Sequence, residues 1–174
     1  TVFDYTNAVR GYNYGANIDS AMLNQMINSN LDAGMPVVIA ITKPGHAIVA
    51  DGYGYHLDVL YHHLNLGWSG AYDAWYNLPN IPASVYLFQS VYKCIYNAYI
   101  SGRGEIISGR VTDSAAMPIA DATVTAFQSG GKIYQTKTNS QGIYALSPVP
   151  SNTAYTIRVS RAGYGFQDKV VKTG

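Results

Sequence analysis

Few side chains in this sequence can move a proton, attack a carbonyl or hold a metal. The 174 residues contain four histidines, His46, His56, His62 and His63, and a single cysteine, Cys94. His46 follows a glycine and opens an apolar run, Gly45-His46-Ala47-Ile48-Val49-Ala50-Asp51-Gly52-Tyr53. A strand that starts at a glycine turn presents its first side chain where a cleft can reach it, so His46 is a candidate for general acid–base work. Nineteen positions on, Asn65 closes another run and begins the turn Asn65-Leu66-Gly67-Trp68-Ser69-Gly70. His56, Asp58, His62 and His63 are grouped closely, but none of the usual zinc-ligand spacings is present, so neither a metal nor any other cofactor is expected. Adjacent residues on a strand point to opposite faces. Only one of His62 and His63 can therefore face a cleft, and His63, which shares parity with Asn65, is the expected one.

The elements that must position these residues are marked by periodicity. Ile18, Met22, Leu23, Met26, Ile27 and Leu31 form one helical stripe between residues 17 and 33. Asn17 is the expected cap, Asp19 suits the first turn, and Gly34 with Pro36 supplies the stop. The continuously apolar, β-branched run 36–42 predicts a strand covered on both faces, ended by a turn at Lys43-Pro44-Gly45. Further strands are expected at 47–51, 59–66, 75–78 and within 85–100. A helix packed on an antiparallel sheet is an α+β unit. After Ser101-Gly102-Arg103-Gly104 the helical period disappears, and short alternating runs at 105–112, 123–128, 133–138, 144–146 and 155–160 predict a separate all-β sandwich. The expected boundary lies in that glycine-rich junction, giving domains at 1–102 and 103–174.

Composition narrows the partners. Charged residues make up 12% of the chain and the formal net charge is +1. Without a cluster of Lys or Arg there is no electrostatic footprint for nucleic acid or anionic lipid. No apolar run approaches the roughly 20 residues of a membrane span. Thr1 opens the sequence without Met or a leader pattern, so the chain is expected to be a piece of a longer one.

The two motifs around His46 and Asn65 resemble the streptopain family of papain-like cysteine peptidases, over approximately residues 3–100. The resemblance implies an α+β papain-like half-domain in which His46 is the general base and acid and Asn65 the amide that orients its ring. Such an amide hydrogen-bonds one ring nitrogen without adding charge, leaving the other to draw a thiol proton and return it to the leaving amine. Trp68 is then expected to shield this pair, Gly67 and Gly70 to let the backbone turn closely, and His63 to stand just behind. Asp51 is expected either to cap the turn at Gly52 or to orient His46 in place of Asn65. Leu66 departs from the family's pattern, which often has Trp after the asparagine. The family's nucleophile stands at a helix start before the histidine, where the helix dipole lowers its pKa. No cysteine precedes His46 here, and the strand-like neighbours of Cys94 mark it as a buried, inert thiol. The implied nucleophile belongs to an upstream segment, the substrate is a polypeptide, and this chain alone is expected to be inactive. The alternative is a non-catalytic surface or adhesion protein built on a dead peptidase scaffold.

Residues 107–164 resemble a carboxypeptidase regulatory-like domain, a transthyretin-type sandwich. The carriers are Ser108-Gly109-Arg110-Val111-Thr112-Asp113, Pro118-Ile119-Ala120-Asp121-Ala122-Thr123-Val124, Thr138-Asn139-Ser140-Gln141-Gly142-Ile143-Tyr144 and Tyr155-Thr156-Ile157-Arg158-Val159-Ser160. This resemblance implies an exported bacterial protein, secreted or held at the cell surface.

Overall fold

A computed structural model describes residues 7–12, 20–42, 45–84 and 86–174. The expected cap Asn17, Asp19, Lys43-Pro44 and Val85 lie outside the described residues. The chain divides into two compact units, Thr1–Ile100 and Ser101–Gly174.

The first unit is mostly strand. Its described elements are β1 (Asn7–Tyr12), α1 (Ser20–Asp32), β2 (Val37–Ile41), β3 (His46–His56), β4 (Val59–Asn65), β5 (Ala74–Tyr76), β6 (Ile81–Ala83), β7 (Tyr86–Phe88) and β8 (Val91–Tyr99). Six strands form one antiparallel sheet in the order β1-β8-β2-β3-β4-β5, while β6 and β7 make a separate hairpin. Register decides which side chains share a face. Ile41 pairs with His46, Ile39 with Ile48 and Val37 with Ala50, and all but the half-buried His46 are buried. His62 and Leu64 of β4 are also buried, so this is the inner face, on which α1 sets Leu23 and Ile27.

Polar contacts from three of its residues pin the helix to that face. Asn30 accepts from the Asn97 backbone N–H at 2.8 Å, Asp32 accepts from the Tyr53 hydroxyl at 2.8 Å, and Asn28 Oδ1 lies 2.7 Å from His62 Nε2. A carboxamide oxygen only accepts, so His62 Nε2 carries the proton. The other ring nitrogen, Nδ1, is buried with no hydrogen-bond partner among the described residues. Burial lowers the His62 pKa to about 4.

β3 runs longer than the sequence predicts because Gly52 and Gly54 lie inside it rather than ending it. Its pairing with β4 shifts between Ala50 and Gly52, where β3 carries one extra residue, Asp51. The hairpin then closes through Leu57 and Asp58, both with positive φ (47° and 62°), the backbone of a tight two-residue turn.

The second unit holds β9 (Glu105–Arg110), β10 (Thr123–Phe127), β11 (Ile133–Lys137), β12 (Ile143–Val149), β13 (Ala154–Ser160) and β14 (Lys169–Lys172). Sheets β11-β10-β13-β14 and β12-β9 close over Ile107, Val124, Ala126, Leu146, Val149, Tyr155 and Ile157. The chain crosses between them at Asn139, whose side chain accepts from the Gln141 and Ile143 N–H groups. Gly142, at φ 73°, completes that turn where a Cβ would stand 2.4 Å from the Val111 carbonyl oxygen. Just before it, buried Thr138 donates to the Ile119 carbonyl and accepts from the Ala122 N–H. No helix among the described residues is long and apolar enough to cross a membrane.

Two stability tests follow from these buried polar groups. In the unfolded chain an imidazole takes up a proton near pH 6.5, whereas folded His62 resists down to about pH 4. Folding stability is therefore lost as pH falls through that window, by about 1.4 kcal/mol per unit and on the order of 3 kcal/mol in all. Urea melts between pH 7 and pH 4 should show this slope, and His62→Gln should flatten it; an unchanged slope in the variant would refute the assignment. Thr138→Val leaves the Ile119 carbonyl and Ala122 N–H unpaired and should cost about 1–3 kcal/mol in the same melts.

Candidate active site

His46 begins β3 and projects from the inner face of the sheet. Its Nε2 lies 2.7 Å from the backbone carbonyl oxygen of Leu66. A carbonyl can only accept, so in the neutral ring Nε2 carries the proton and Nδ1 holds the lone pair. The ring stacks on Trp68, with centroids 5.1 Å apart and planes 23° apart, and on Phe88 at 6.4 Å and 28°. Two aromatic walls and one backbone bond thus fix both the tautomer and the plane of the imidazole.

The loop after β4 explains how that carbonyl comes to point at the ring. Leu66 is fully buried, and its N–H donates to the Asp73 carboxylate at 2.8 Å. Gly67 takes φ 75°, and its N–H donates to Asn65 Oδ1 at 2.9 Å. Ser69 and Gly70 continue the turn at φ 56° and 86°, and the Ala71 N–H donates to the Trp68 carbonyl. The chain turns tightly around Leu66, whose carbonyl faces His46.

Several expected site residues stand elsewhere. Asn65 pairs with Val49, whose parity is opposite to that of His46 and Ile48, so its carboxamide starts on the far side of the sheet. There it folds onto the Gly67 N–H, and the expected Asn65–His46 contact is replaced by the Leu66 carbonyl. Asp51 and His63 are likewise parted from His46. The extra residue in β3 sets them side by side on the outer face, where Asp51 Oδ1 lies 2.6 Å from His63 Nδ1. His63 also meets the edge of Trp75, at 5.3 Å. Asp51 neither caps Gly52 nor orients His46. Trp68 and Gly67, in contrast, lie where the motif puts them, beside the imidazole and in the loop that holds it.

Other residues of the site carry no sequence signal of their own. Phe88 arrives through the β6–β7 hairpin, and Tyr86 on the same strand approaches Trp68 at 6.5 Å. Tyr72 meets Trp68 edge-on at 6.0 Å. The one available hint was the departure at Leu66, a buried residue that contributes its main chain. Cys94 is buried in β8, opposite Ile39. The β2 strand separates β8 from β3, two spacings of about 4.8 Å each, so the thiol is too far from His46 for a proton to pass between them. Among the described residues no group of three His, Cys, Asp or Glu stands close enough to hold a metal.

An imidazole of fixed tautomer, roofed by an indole and held from a turn after the next strand, is an arrangement suited to activating a thiol. Residues 1–76 match the model of the Peptidase C10 family, the streptopain family, and residues 106–173 match that of the carboxypeptidase regulatory-like domain. The first unit is therefore similar to a cysteine-peptidase family over part of its length, and the second unit is similar to a carboxypeptidase regulatory-like domain. The first match takes in His46, Asn65 and Trp68 and stops before Tyr86, Phe88 and Cys94. Neither the curated proteins nor the solved structures gave a match.

The tautomer can be read directly. In a 15N–1H long-range spectrum at neutral pH, His46 should give the pattern of an Nε2–H ring, and Trp68→Ala should broaden or shift it. A His46 pattern with the proton on Nδ1 would remove the Leu66 bond and the orientation derived from it.

Proposed function

We propose that the first unit is the histidine-bearing half of a papain-like, secreted cysteine endopeptidase whose thiol comes from polypeptide outside these 174 residues. In this reading His46 Nδ1 takes the proton from the incoming cysteine. The thiolate adds to the scissile carbonyl, and the protonated imidazole gives the proton to the departing amine. A water then releases the acyl group through the same base. Leu66 holds the ring through its carbonyl, while Asn65 acts one step removed as a positioning residue that fixes the turn presenting that carbonyl. Trp68 keeps water from one face of the ring, where a hydrogen bond in a drier setting is stronger. The sandwich that follows is a spacer or binding module.

The observation that carries this reading is the 2.7 Å bond that leaves Nδ1 as the base of a ring stacked on Trp68. It is supported by the Peptidase C10 match over the same residues. A second reading, a non-catalytic surface protein that retains the scaffold, is favoured by the burial of Cys94 behind β2. The residue types at a helix start upstream of His46 separate the two: a cysteine there fits the enzyme, and serine, alanine or glycine the scaffold.

Residues 1–174 alone should hydrolyse no casein or peptide amide. Joined to its own upstream segment, the protein should do so, with His46→Ala lowering kcat about 10²–10⁴-fold. Asn65→Ala should cost less than His46→Ala, and Cys94→Ala should change nothing. Cleavage by the 174 residues that disappears with Cys94→Ala, or a longer protein indifferent to His46→Ala, would overturn the proposal.

A further inference from the structure

The outer face of the first unit carries a second site, on the opposite side of the sheet from His46. Gly52 and Gly54 of β3 leave a strip of bare backbone, and the indole of Trp75 lies along it. A Cβ added at Gly52 would meet Trp75 Cη2 at 3.8 Å, and one added at Gly54 would meet Cζ3 at 3.7 Å. The six-membered ring therefore rests on the glycines, and the side chain stays 54% exposed. Glycine inside a strand weakens it and commonly marks a place where something must approach the backbone closely. Beside the indole is a cavity of about 460 Å³ lined by Gly54, Tyr55, His56, Tyr61 and Trp75, within the range of small-molecule sites, roughly 300–1,000 Å³. On the indole's other flank stands His63, fixed by Asp51.

We infer that this face binds a neutral saccharide, one pyranose ring lying flat on Trp75. The exposed indole face is electron-rich and attracts the slightly positive C–H groups on one side of a sugar ring. The hydroxyls around such a ring need donors and acceptors at the rim of the platform. The imidazoles of His56 and His63, the phenol of Tyr61 and the carboxylate of Asp51 supply both kinds. Charge excludes the competing ligands. Among the described residues neither Lys nor Arg lines the cavity, so a phosphate or carboxylate ligand finds no counter-charge there. The adjacent carboxylate, Asp51, is engaged by His63, which disfavours a cation. The cavity is open to solvent, unlike a sealed slot for an alkyl chain. None of this depends on His46 or on a peptidase function.

The test uses the 15N-labelled 174-residue protein, whose two tryptophans give two indole N–H peaks, that of Trp75 being the one missing in Trp75→Phe. Titration with cellobiose and with N,N′-diacetylchitobiose should move the Trp75 peak saturably, in the millimolar range, with at least one sugar, while the Trp68 peak stays still. The amide peaks of Gly52 and Gly54 should report binding weakened about tenfold or more in Trp75→Ala. In Asp51→Asn, an exposed change that keeps the side chain's shape, binding should weaken several-fold. The inference is overturned if neither disaccharide moves the Trp75 peak, if binding survives unchanged in both Ala and Asn variants, or if N-acetyltyrosinamide binds as tightly as the sugars.

Discussion

One hydrogen bond orients the His46 ring of the first unit: that from its Nε2 to the Leu66 carbonyl. A side-chain amide can perform the same service, but it needs its own rotamer held and its oxygen turned the right way. A backbone carbonyl is fixed as soon as its turn is. The turn here is over-determined by the Asp73 carboxylate on the Leu66 N–H, by Asn65 on the Gly67 N–H, and by the positive φ of Gly67, Ser69 and Gly70. Burying the Leu66 side chain completes it. Ring orientation is thus a property of the loop, and each loop contact acts on Nδ1 at one remove.

The sheet then partitions the polar residues between its faces. Pairing places His46, Ile48 and Ala50 on the helix-covered side, and alternation sends Val49 and Asn65 to the other. One inserted residue, Asp51, changes the alternation of β3 relative to β4, so that Tyr53 returns to the inner face and bonds the end of the helix. Without it, the residues from Gly52 onward would exchange faces, and Trp75 would lose the bare strip it lies on. The irregularity that pairs Asp51 with His63 is therefore also what closes the helix onto the sheet.

Much of this was legible in the sequence where periodicity was strong. The helix, the β2 strand and the alternating strands of the second unit follow from residue types, while the pairing of His46 with the Trp68 loop was implied by the family resemblance. β2, expected to be covered on both faces, is buried on one, with Val38 of the other face exposed. Three strands were not legible. β6 contains Pro82, which removes a donor and reads as a break, yet its two-stranded hairpin has an edge that does not need that N–H. β1 and β14 are short and mixed in polarity. The stretch 85–100 reads as one strand, but Tyr86–Phe88 pairs with β6 in a separate hairpin and the six-stranded sheet is joined only from Val91, which leaves Phe88 beside His46. Asn65 was placed by motif, which fixes position along the chain but not the face of the sheet; that is fixed by register, a long-range property.

The inner face also shows how two histidines on one sheet can be held in different ways. His62 and His46 share that face, and each donates from Nε2 to an oxygen. What differs is the environment of the second nitrogen. Around His62 the helix closes, Nδ1 is sealed without a partner among the described residues, and the ring resists protonation. A proton cannot reach that nitrogen without opening the helix contact, so the residue serves packing and makes the unit sensitive to acid. His46 lies at the start of its strand, half-buried between two flat rings rather than under a helix. Aromatic walls limit how the ring tilts, so the plane of His46 is set by two flat rings and one loop carbonyl, whereas that of His62 is set by the helix.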